Sequence, residues 1–475
     1  MIRRLALIAL VAATPLAADD HAHDAASHAA GDDPGLEISQ ERLRADMDTI
    51  VGFGTRHTLS AQDHPTRGVG AAVDWALAEF GRISESCNSC LEVEAVGRVV
   101  EPDGRRIPEP TLIRNAVAIQ RGTERPDEVI IVQAHYDSRV TDPLNGTDDA
   151  PGANDDGSGS VMVLEAARIL SQREYPSTII YALLTGEEQG LYGAGILADW
   201  VTEQGMTVKA VLNNDMIGNS CGADGYCEPD VVRVFSEGLR ADSTEQLRAR
   251  QRRFGGENDA PGRNLSRWLA GFAAQYPEGI QVRQIWRTDR MGRGGDQIPF
   301  LDRGYPAVRV TVAVEDYDHQ HQDLRTEDGT KYGDTVDEID FTYLTRASRL
   351  NVRALDYLAR APMPPSVTAD AAVRVDTELT VHPVAGADTY RIHVRRTDEP
   401  HWREQVPEGS RGESWDPVFG LIRDPASQAP HRHTIPLRGD DWLIGVSACS
   451  GAICSPVASA VPGGAFAPLA EPESE

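Results

Sequence analysis

The stretch TIIYALLTGEEQG, residues 178–190, joins an unbroken apolar run to two adjacent glutamates. A short run without polar alternation, Thr178–Leu184, predicts a strand covered on both faces, as in a sheet between two layers of helices. Glu187 and Glu188 follow it directly, among glycines. Adjacent carboxylates repel each other unless a positive group lies beside them. The stretch therefore predicts a covered strand that ends at a site holding positive charge.

Runs of the same kind recur from Leu36 to Ala361, where they alternate with helical patterns. Strands are expected at Leu91–Val100, Leu112–Gln120, Val129–Ala134, Thr178–Leu184, Val208–Asn214, Val231–Phe235, Gln281–Trp286 and Ala307–Val312. Helices are expected at Gln40–Val51, Arg67–Phe80, Val161–Ser171, Leu265–Ala274 and Tyr343–Ala361. This pattern predicts the α/β class, with a mixed, largely parallel central sheet flanked by helices.

The pattern changes after the proline-rich segment APMPPS, residues 361–366. The segments TELTVHPV, TYRIHVRRT, HTIPL and DWLIGVSAC alternate polar and apolar residues between turns. We expect a small all-β sandwich over residues 366–465, followed by a tail, 466–475. Its spacing, with Tyr390, Trp402 and Trp442, resembles a fibronectin type III module. The sandwich is expected to dock on the preceding domain or on another surface.

The charge of the chain excludes some partners. Its 475 residues carry 46 Lys and Arg against 73 Asp and Glu, a net charge of −27. Such a charge opposes binding to nucleic acid and to anionic lipid surfaces. No segment after the N-terminus is long and apolar enough to span a membrane, so the mature protein is expected to be soluble.

The N-terminus predicts export. Residues 1–18 place Arg3 and Arg4 before a short apolar run and small residues, which is the layout of a Sec-type signal peptide. The protein is therefore expected to be secreted or periplasmic. Residues 19–35, rich in Ala, His and Asp, are expected to form a disordered linker.

The six cysteines agree with an oxidising compartment. They form three close pairs, Cys87 with Cys90, Cys221 with Cys227 and Cys449 with Cys454, which we interpret as local disulfides. The alternative is metal binding through CNSC, but a single CxxC is weak evidence for zinc.

Polar residues gather where the predicted strands end. His135 and Asp137 end the strand in VIIVQAHYDS, on one side of an extended chain, so the carboxylate can orient the imidazole. Asp155 and Asp156 lie in the turn PGANDDGSGS, which opens a helix, where the simplest reading is an N-cap and turn. Asp215 follows the strand in AVLNNDMIGN. In open α/β sheets, ligands bind outside the carboxyl ends of the strands.

In chain order these elements are H-x-D, G-x-x-D-D-x-x-G before a helix, G-E-E-x-G, N-D-M, and a late histidine ahead of Asp334 and Thr335. This order resembles the M28 family of co-catalytic zinc aminopeptidases, over roughly Gly52 to Tyr343. The resemblance implies the zinc exopeptidase fold for residues 36–361. It also implies two Zn²⁺ ions as cofactors and peptides as substrates.

Carried over position by position, the resemblance implies a role for each polar residue. Asp155 bridges two zinc ions, His135 and Asp215 complete one, and Glu188 and the late histidine complete the other. His321 is preferred to His319 for that last position. Glu187 is implied as the general base, assisted by Asp137. Asp156 and Asp296 are implied to support the ligands from behind, and the Asp155–Asp156 peptide is expected to be cis.

The division of labour between the two glutamates also has a physical basis. Adjacent residues of an extended chain face opposite ways, so Glu188 can hold metal while Glu187 faces a water molecule. Two metal ions polarise a carbonyl and acidify a shared water, whose proton Glu187 takes and passes to the leaving amine.

Two kinds of alternative function remain, other enzymatic activities and a role without catalysis. On the same fold, a carboxypeptidase or a glutaminyl-cyclase-like activity is possible, and a non-catalytic, receptor-like member is the alternative from another class. The segment GNSCG, residues 218–222, matches the form of a serine-hydrolase elbow, but that motif needs a following helix.

Residues 287–296 are expected to form a wall of the substrate pocket. Gln297 stands where many members of the family carry a histidine.

Overall fold

A computed structural model describes residues 33–404, 418–420 and 429–469. The expected signal peptide, residues 1–18, lies outside the described residues, as do residues 19–32 of the expected linker and 470–475 of the tail. The described end of the linker packs on the domain that follows, because Arg353 forms an ion pair with Asp33 at 2.6 Å.

The central sheet has eight strands. They are β1 (Glu92–Val100), β2 (Thr111–Gln120), β3 (Arg125–His135), β4 (Ser177–Leu184), β5 (Thr207–Asn214), β6 (Val231–Phe235), β7 (Gln281–Ile285) and β8 (Ala307–Val312). Their spatial order is β1-β2-β4-β3-β5-β8-β6-β7. The middle strands β4, β3, β5 and β8 are parallel, whereas β2 and β6 join this group antiparallel. The predicted mixed, largely parallel sheet is confirmed.

Helices cover this sheet. They are α1 (Gln40–Val51), α2 (Gly68–Ser86), α3 (Gly159–Leu170), α4 (Tyr192–Glu203), α5 (Glu245–Phe254), α6 (Pro261–Ala273), α7 (Ile298–Asp302) and α8 (Phe341–Arg360). The five predicted helices are present, but α4, α5 and α7 were not predicted. No side chain caps α4, which starts after Leu191 in the left-handed conformation (φ 62°), so its start lacks the usual sequence signal. With only five residues, α7 is too short to show a period.

Alternate residues of the middle strands feed two separate hydrophobic layers. Ile130 and Val132 of β3 pack with residues of α1, α2, α3, α6 and α8. Val129 and Ile131 of the same strand pack on the opposite face with residues of α4 and α7. All eight residues of β4 are buried. This double cover explains why these strands carry no polar alternation in the sequence.

The parallel strands end together at one edge of the sheet. His135, the last residue of β3, lies opposite Leu184, the last residue of β4. The loop after β4 carries Glu187 and Glu188, and Asp215 directly follows β5. An irregular helical turn, Ala153–Ser158, brings Asp155 to the same edge before α3 begins.

The C-terminal part of the described chain is built from antiparallel sheets. After a small hairpin, β9 (Arg325–Glu327) and β10 (Thr330–Tyr332), come β11 (Val367–Asp370), β12 (Thr377–Val381), β13 (Thr389–Arg396), β14 (Val418–Gly420), β15 (His431–Ile435), β16 (Trp442–Ser450), β17 (Ile453–Cys454) and β18 (Ala458–Ser459). One sheet has the order β11-β12-β15, and the other has the order β14-β13-β16-β17, with β18 on β16. The two sheets share one apolar cluster, which includes Leu379, Tyr390 and Val446.

A buried ion pair joins these sheets to the first domain. Arg395 on β13 contacts both carboxylate oxygens of Asp259, at 2.5 and 2.6 Å, and both side chains are 2% exposed. Ser459 of β18 donates a hydrogen bond to the same carboxylate. Arg267 of α6 lies 3.6 Å from it.

The three predicted disulfides are present, Cys87–Cys90, Cys221–Cys227 and Cys449–Cys454. Within residues 33–404, 418–420 and 429–469, no helix combines the length and the apolar character needed to cross a bilayer.

Candidate active site

The structure brings together five candidate residues that lie far apart in the sequence. His135 Nε2 lies 2.9 Å from Asp155 Oδ1 and 3.8 Å from Asp215 Oδ1. His321 Nε2 lies 2.9 Å from Asp155 Oδ2 and 2.8 Å from Glu188 Oε1. Asp155 therefore uses one oxygen toward each histidine. It belongs to two triads, His135–Asp155–Asp215 and Asp155–Glu188–His321, in each of which the potential ligand atoms lie within 4.8 Å of one another.

The donor set of these triads fits zinc. Each triad offers one imidazole nitrogen and carboxylate oxygens, which are ordinary zinc ligands. His135, Asp155, Glu188 and Asp215 are buried, and His321 is partly buried. Carboxylates buried at this density are unfavourable unless cations compensate them. The residues present thus fit a pair of divalent cations that share one carboxylate.

Backbone donors hold Asp155 and Asp156 in place. The N–H groups of Asn154 and Asp155 donate to the carboxylate of Asp334, at 2.8 and 2.7 Å. Asp156 accepts hydrogen bonds from the N–H groups of His135, Gly159 and Met216. Asp156 thereby ties the end of β3, the start of α3 and the segment after β5 to one point. The Asp155–Asp156 peptide is cis, as expected.

Asp137 supports the two glutamates more directly than it supports His135. Its carboxylate accepts hydrogen bonds from the N–H groups of Glu187 and Glu188, both at 3.2 Å, and from Thr58 Oγ1 at 2.7 Å. His135 Nδ1 lies 3.0 Å from the backbone oxygen of Asp137 and 3.7 Å from its carboxylate. Asp137 therefore orients the imidazole mainly through its carbonyl group, and its side chain fixes the loop that carries the glutamates.

The protonation of the cluster follows from its crowded carboxylates. Burial opposes protonation of His321, yet the carboxylates of Glu188 and Asp155 raise its pKa to about 10. Burial also raises the pKa of Glu187 well above its usual value; the positive charge of His135 opposes this rise, and repulsion from Glu188 adds to it. Glu187 is partly buried, and no hydrogen bond or ion pair holds its carboxylate within the described part of the chain.

The structure separates the two late histidines. His319 Nδ1 lies 3.0 Å from Asp316, and its Nε2 lies 3.5 Å from Glu338. Only His321 reaches Asp155 and Glu188. Gln320, between the two histidines, donates a hydrogen bond to Asp155 Oδ2 at 2.7 Å.

Two arginines at the cluster were not predicted. Arg139 Nε lies 2.9 Å from Glu188 Oε2, and Arg309 Nη2 lies 2.7 Å from Asp215 Oδ1. Arg309 is fully buried in β8, where it interrupts the apolar run AVRVTV. A charged residue inside a covered strand requires a buried partner, and this signal was available in the sequence.

Asp296 and Gln297 lie close behind the cluster but have different surroundings. Asp296 is fully buried, and neither carboxylate oxygen has a hydrogen-bond partner among the described residues. Burial, followed by repulsion from Glu187, raises the pKa of Asp296 well above its usual value. Gln297 instead donates to Asp289 Oδ2 at 2.7 Å and to Thr288 O at 3.1 Å. It therefore supports the loop 287–296.

The segment that resembled a serine-hydrolase elbow does not form one. Residues after Ser220 form a turn closed by the disulfide Cys221–Cys227, where the motif requires a helix. Ser220 Oγ donates a hydrogen bond to the carboxylate of Asp340 at 3.2 Å, and this contact holds the hydroxyl group in place.

A cavity of about 430 Å³ opens over the cluster. The five clustered residues, Glu187 and Gln320 form part of its lining. The rest consists of four arginines, Arg106, Arg139, Arg290 and Arg293, and four small or apolar residues, Gly190, Leu191, Gly292 and Gly294. Four of these, Arg290, Gly292, Arg293 and Gly294, come from the loop 287–296. That loop was expected to form a wall of the pocket.

Comparison with known proteins agrees with this geometry. The profile of peptidase family M28 matches residues 115–350. A probable zinc metalloprotease of Leptosphaeria maculans is 42% identical over 415 residues, which cover 86% of this chain and 91% of the relative. A probable zinc metalloprotease of Pyrenophora tritici-repentis is 41% identical, over 79% of each chain. The crystal structure of the LapA aminopeptidase of Legionella pneumophila shares the fold, with a TM-score of 0.50 at 19% identity over 69% of this chain and 71% of that chain.

The hydrogen bonds of Asp137 give a first prediction. Asp137→Asn keeps the shape of the side chain but places an N–H₂ group where a carboxylate oxygen accepted backbone N–H groups. We expect the free energy of unfolding to fall by about 2–3 kcal/mol, whereas Thr58→Val, which removes one hydrogen bond, should cost about 1 kcal/mol. Urea unfolding of both variants measures the difference. Equal losses would contradict the role given to the Asp137 carboxylate.

Proposed function

The chain belongs to peptidase family M28, and from that premise we propose that it is an exported zinc aminopeptidase that removes N-terminal residues from peptides. The observation that carries the proposal is the shared carboxylate of Asp155, which lies 2.9 Å from both His135 and His321. A single bridging carboxylate between two triads suits a pair of metal ions that act together.

We assign the ligands by triad. His135 and Asp215 would hold one zinc ion, Glu188 and His321 the other, and Asp155 both. When bound, such a pair supplies Lewis acidity, which polarises the carbonyl of the scissile peptide bond and makes a water molecule more acidic. Asp137, Asp156 and Asp334 fix the loops that carry these ligands.

Glu187 is the residue that moves the proton in this proposal. Its carboxylate lines the cavity and is not held by any ion pair among the described residues, whereas Glu188 is held by His321 and Arg139. Glu187 accepts one proton from the attacking water and donates it to the nitrogen of the leaving amine as the C–N bond breaks. Burial and neighbouring carboxylates raise its pKa, which suits a group that must both accept and release a proton.

The cavity supports action at a chain end. About 430 Å³ is the size of a small-ligand site, and the proposed zinc ligands lie in its lining. A second candidate function is carboxypeptidase action. It is favoured by Arg106 and Arg293 in the same lining, because an arginine pairs well with a C-terminal carboxylate.

We also propose that the C-terminal β domain, residues 366–465, stays docked on the first domain, residues 36–361. The support is the buried contact of Arg395 with Asp259 and the hydrogen bonds from Arg240 to the backbone oxygens of Ala465 and Ala467, both at 2.7 Å. Export is supported by residues 1–18 and by the three disulfides, which suit an oxidising compartment. The N-terminal residue of the protein recovered from its host tests the cleavage.

The direction of attack is tested with a tripeptide such as Leu-Ala-Phe, its N-acetyl derivative and its C-terminal amide. We expect N-acetylation to abolish hydrolysis and amidation to leave it nearly unchanged, since an aminopeptidase needs the free amine. Mass spectrometry of the products measures both. The reverse result supports a carboxypeptidase, and loss of ammonia from a peptide that begins with glutamine supports a cyclase.

The two glutamates should separate on substitution. Glu187→Gln should retain about two zinc ions per chain while kcat falls by roughly 10²–10⁴-fold. Glu188→Gln should lower the zinc content itself, because it removes a proposed ligand. Elemental analysis measures the zinc content of both variants, and peptide hydrolysis measures kcat. Glu203→Gln, at an exposed position on α4, is the control. If both variants lose metal to the same extent, the division of roles is wrong.

The domain contact predicts a stability difference. Asp259→Ala leaves Arg395 and Arg267 buried without their carboxylate, so the free energy of unfolding should fall by about 3–5 kcal/mol. Asp337→Ala, which removes an exposed partner of Lys331, should cost about 0–1 kcal/mol. Calorimetry compares the two. If they behave alike, the docked arrangement is not maintained in solution.

A further inference from the structure

The cavity over the cluster carries more positive charge than the zinc ligands require. Its lining includes four arginines, Arg106, Arg139, Arg290 and Arg293. Its carboxylates are Asp155, Glu187, Glu188 and Asp215, which are three proposed metal ligands and the proposed base. Among the lining residues, no carboxylate is therefore left to pair with a cationic side chain of a substrate.

Two of the four arginines use two or more of their nitrogen atoms in contacts with the protein. Arg139 contacts Glu188 Oε2 and His321 Nδ1, at 2.9 and 2.7 Å. Arg290 pairs with Asp289 at 3.0 Å and with Glu315 at 3.1 Å, and it donates to the backbone oxygen of Gly294 at 3.0 Å. These two residues hold the cluster and the loop 287–296 in shape.

Arg106 has N–H groups that form no hydrogen bond within the described part of the chain. Its Nη1 group donates to the backbone oxygen of Glu188, and within the described part of the chain it pairs with no carboxylate. The loop that carries it is held firmly, since Asp103 Oδ1 accepts hydrogen bonds from the N–H groups of Arg105, Arg106 and Ile107 at 2.7–2.8 Å. Arg106 is thus a partly buried guanidinium that is fixed at one end and lines the cavity at the other.

Arg293 is placed in a similar way. Among the residues that the structure describes, only the Nη1 group of Arg293 forms polar contacts, with Glu315 at 2.8 Å and with Gln320 at 3.4 Å. Its side chain is 32% exposed. Glu315 is shared with Arg290 and Arg233, so one carboxylate serves three guanidinium groups and leaves the neighbourhood of Arg293 positive.

From these contacts we propose that Arg106 and Arg293 form a subsite for a carboxylate of the peptide substrate. The proposal rests on the proposed peptidase function and narrows its substrates to those with an acidic group close to the scissile bond. A guanidinium with free N–H groups forms charge-assisted, often bidentate, hydrogen bonds with a carboxylate. Bound zinc adds positive charge to the same cavity and favours an anionic group further.

A carboxylate near the scissile bond has two sources. One is the side chain of an N-terminal Glu or Asp, and the other is the C-terminal carboxylate of a dipeptide. The two are separated by matched substrates. Glu-p-nitroanilide against Gln-p-nitroanilide differs only in the side-chain charge, and Leu-Leu against Leu-Leu-amide differs only in the terminal charge.

The measured quantity is the ratio of kcat/KM within each pair, for the full-length enzyme with its zinc content determined. We expect the wild type to favour the acidic member of at least one pair. Arg106→Gln and Arg293→Gln should each lower that ratio by about 10- to 100-fold. Arg105→Gln and Arg252→Gln, both exposed and outside the lining, should leave it unchanged.

Effects on metal content or folding act equally on both substrates and therefore cancel in the ratio. These include any effect that follows from the contact of Arg106 with Glu188. If a glutamine variant fails to fold, Arg106→Lys and Arg293→Lys keep the charge but lose the planar fork, and they should lower the ratio partially. Ratios near one in the wild type, or ratios that the arginine variants leave unchanged, would overturn the subsite. Absence of hydrolysis of every substrate would instead refute the proposed peptidase function.

Discussion

The arrangement of this chain depends on one unfavourable condition, the crowding of buried carboxylates at the carboxyl edge of the sheet. Asp137, Asp155, Asp156, Glu188 and Asp215 are all at most 5% exposed. Placed so close, they repel one another and lose their hydration. Each one survives because a specific donor or cation faces it: backbone N–H groups face Asp137 and Asp156, histidines face Asp155, and Arg139 and Arg309 face Glu188 and Asp215. The proposed pair of zinc ions would complete that balance.

The double cover of the sheet is what makes this crowding possible. Since β3, β4 and β5 are parallel and buried on both faces, their last residues meet at one edge and are themselves buried. The N–H groups of the following loops are then the nearest donors. Asp137 and Asp156 use them to fasten the loops after β4 and β5 to the end of β3. The fold and the site are therefore stabilised by the same hydrogen bonds.

The sequence predicted the parts of this arrangement that depend on local pattern. Short apolar, β-rich runs located all eight strands of the sheet, and the strand ends located His135, Glu188 and Asp215, because the periodicity of a strand fixes where its chain leaves the core. The path of a loop has no such period. Arg139 could not be assigned to Glu188, nor Arg106 to its backbone oxygen, because each contact depends on how two distant loops fold back. Helix α4 was missed for a related reason, since no capping side chain marks its start.

The same distinction separates the chemistry of the site from its selectivity. Most of the residues that would hold metal and move the proton lie at or just beyond strand ends, where the sheet fixes their positions. Asp155 instead comes from the turn before α3, and His321 comes from a longer loop. The walls of the cavity come from the β1–β2 loop, which carries Arg106, and from the loop 287–296, which carries Arg293. The first loop is fixed by its own Asp103, through bonds that do not involve the cluster. The second is held by Asp289, which accepts a hydrogen bond from Gln297 and also lies 3.5 Å from Arg309, the partner of Asp215. A change in the first wall can therefore alter which group enters the cavity while the carboxylates beneath keep their partners. The positive charge of the present walls is a property of these loops, separate from the charge balance at the sheet edge.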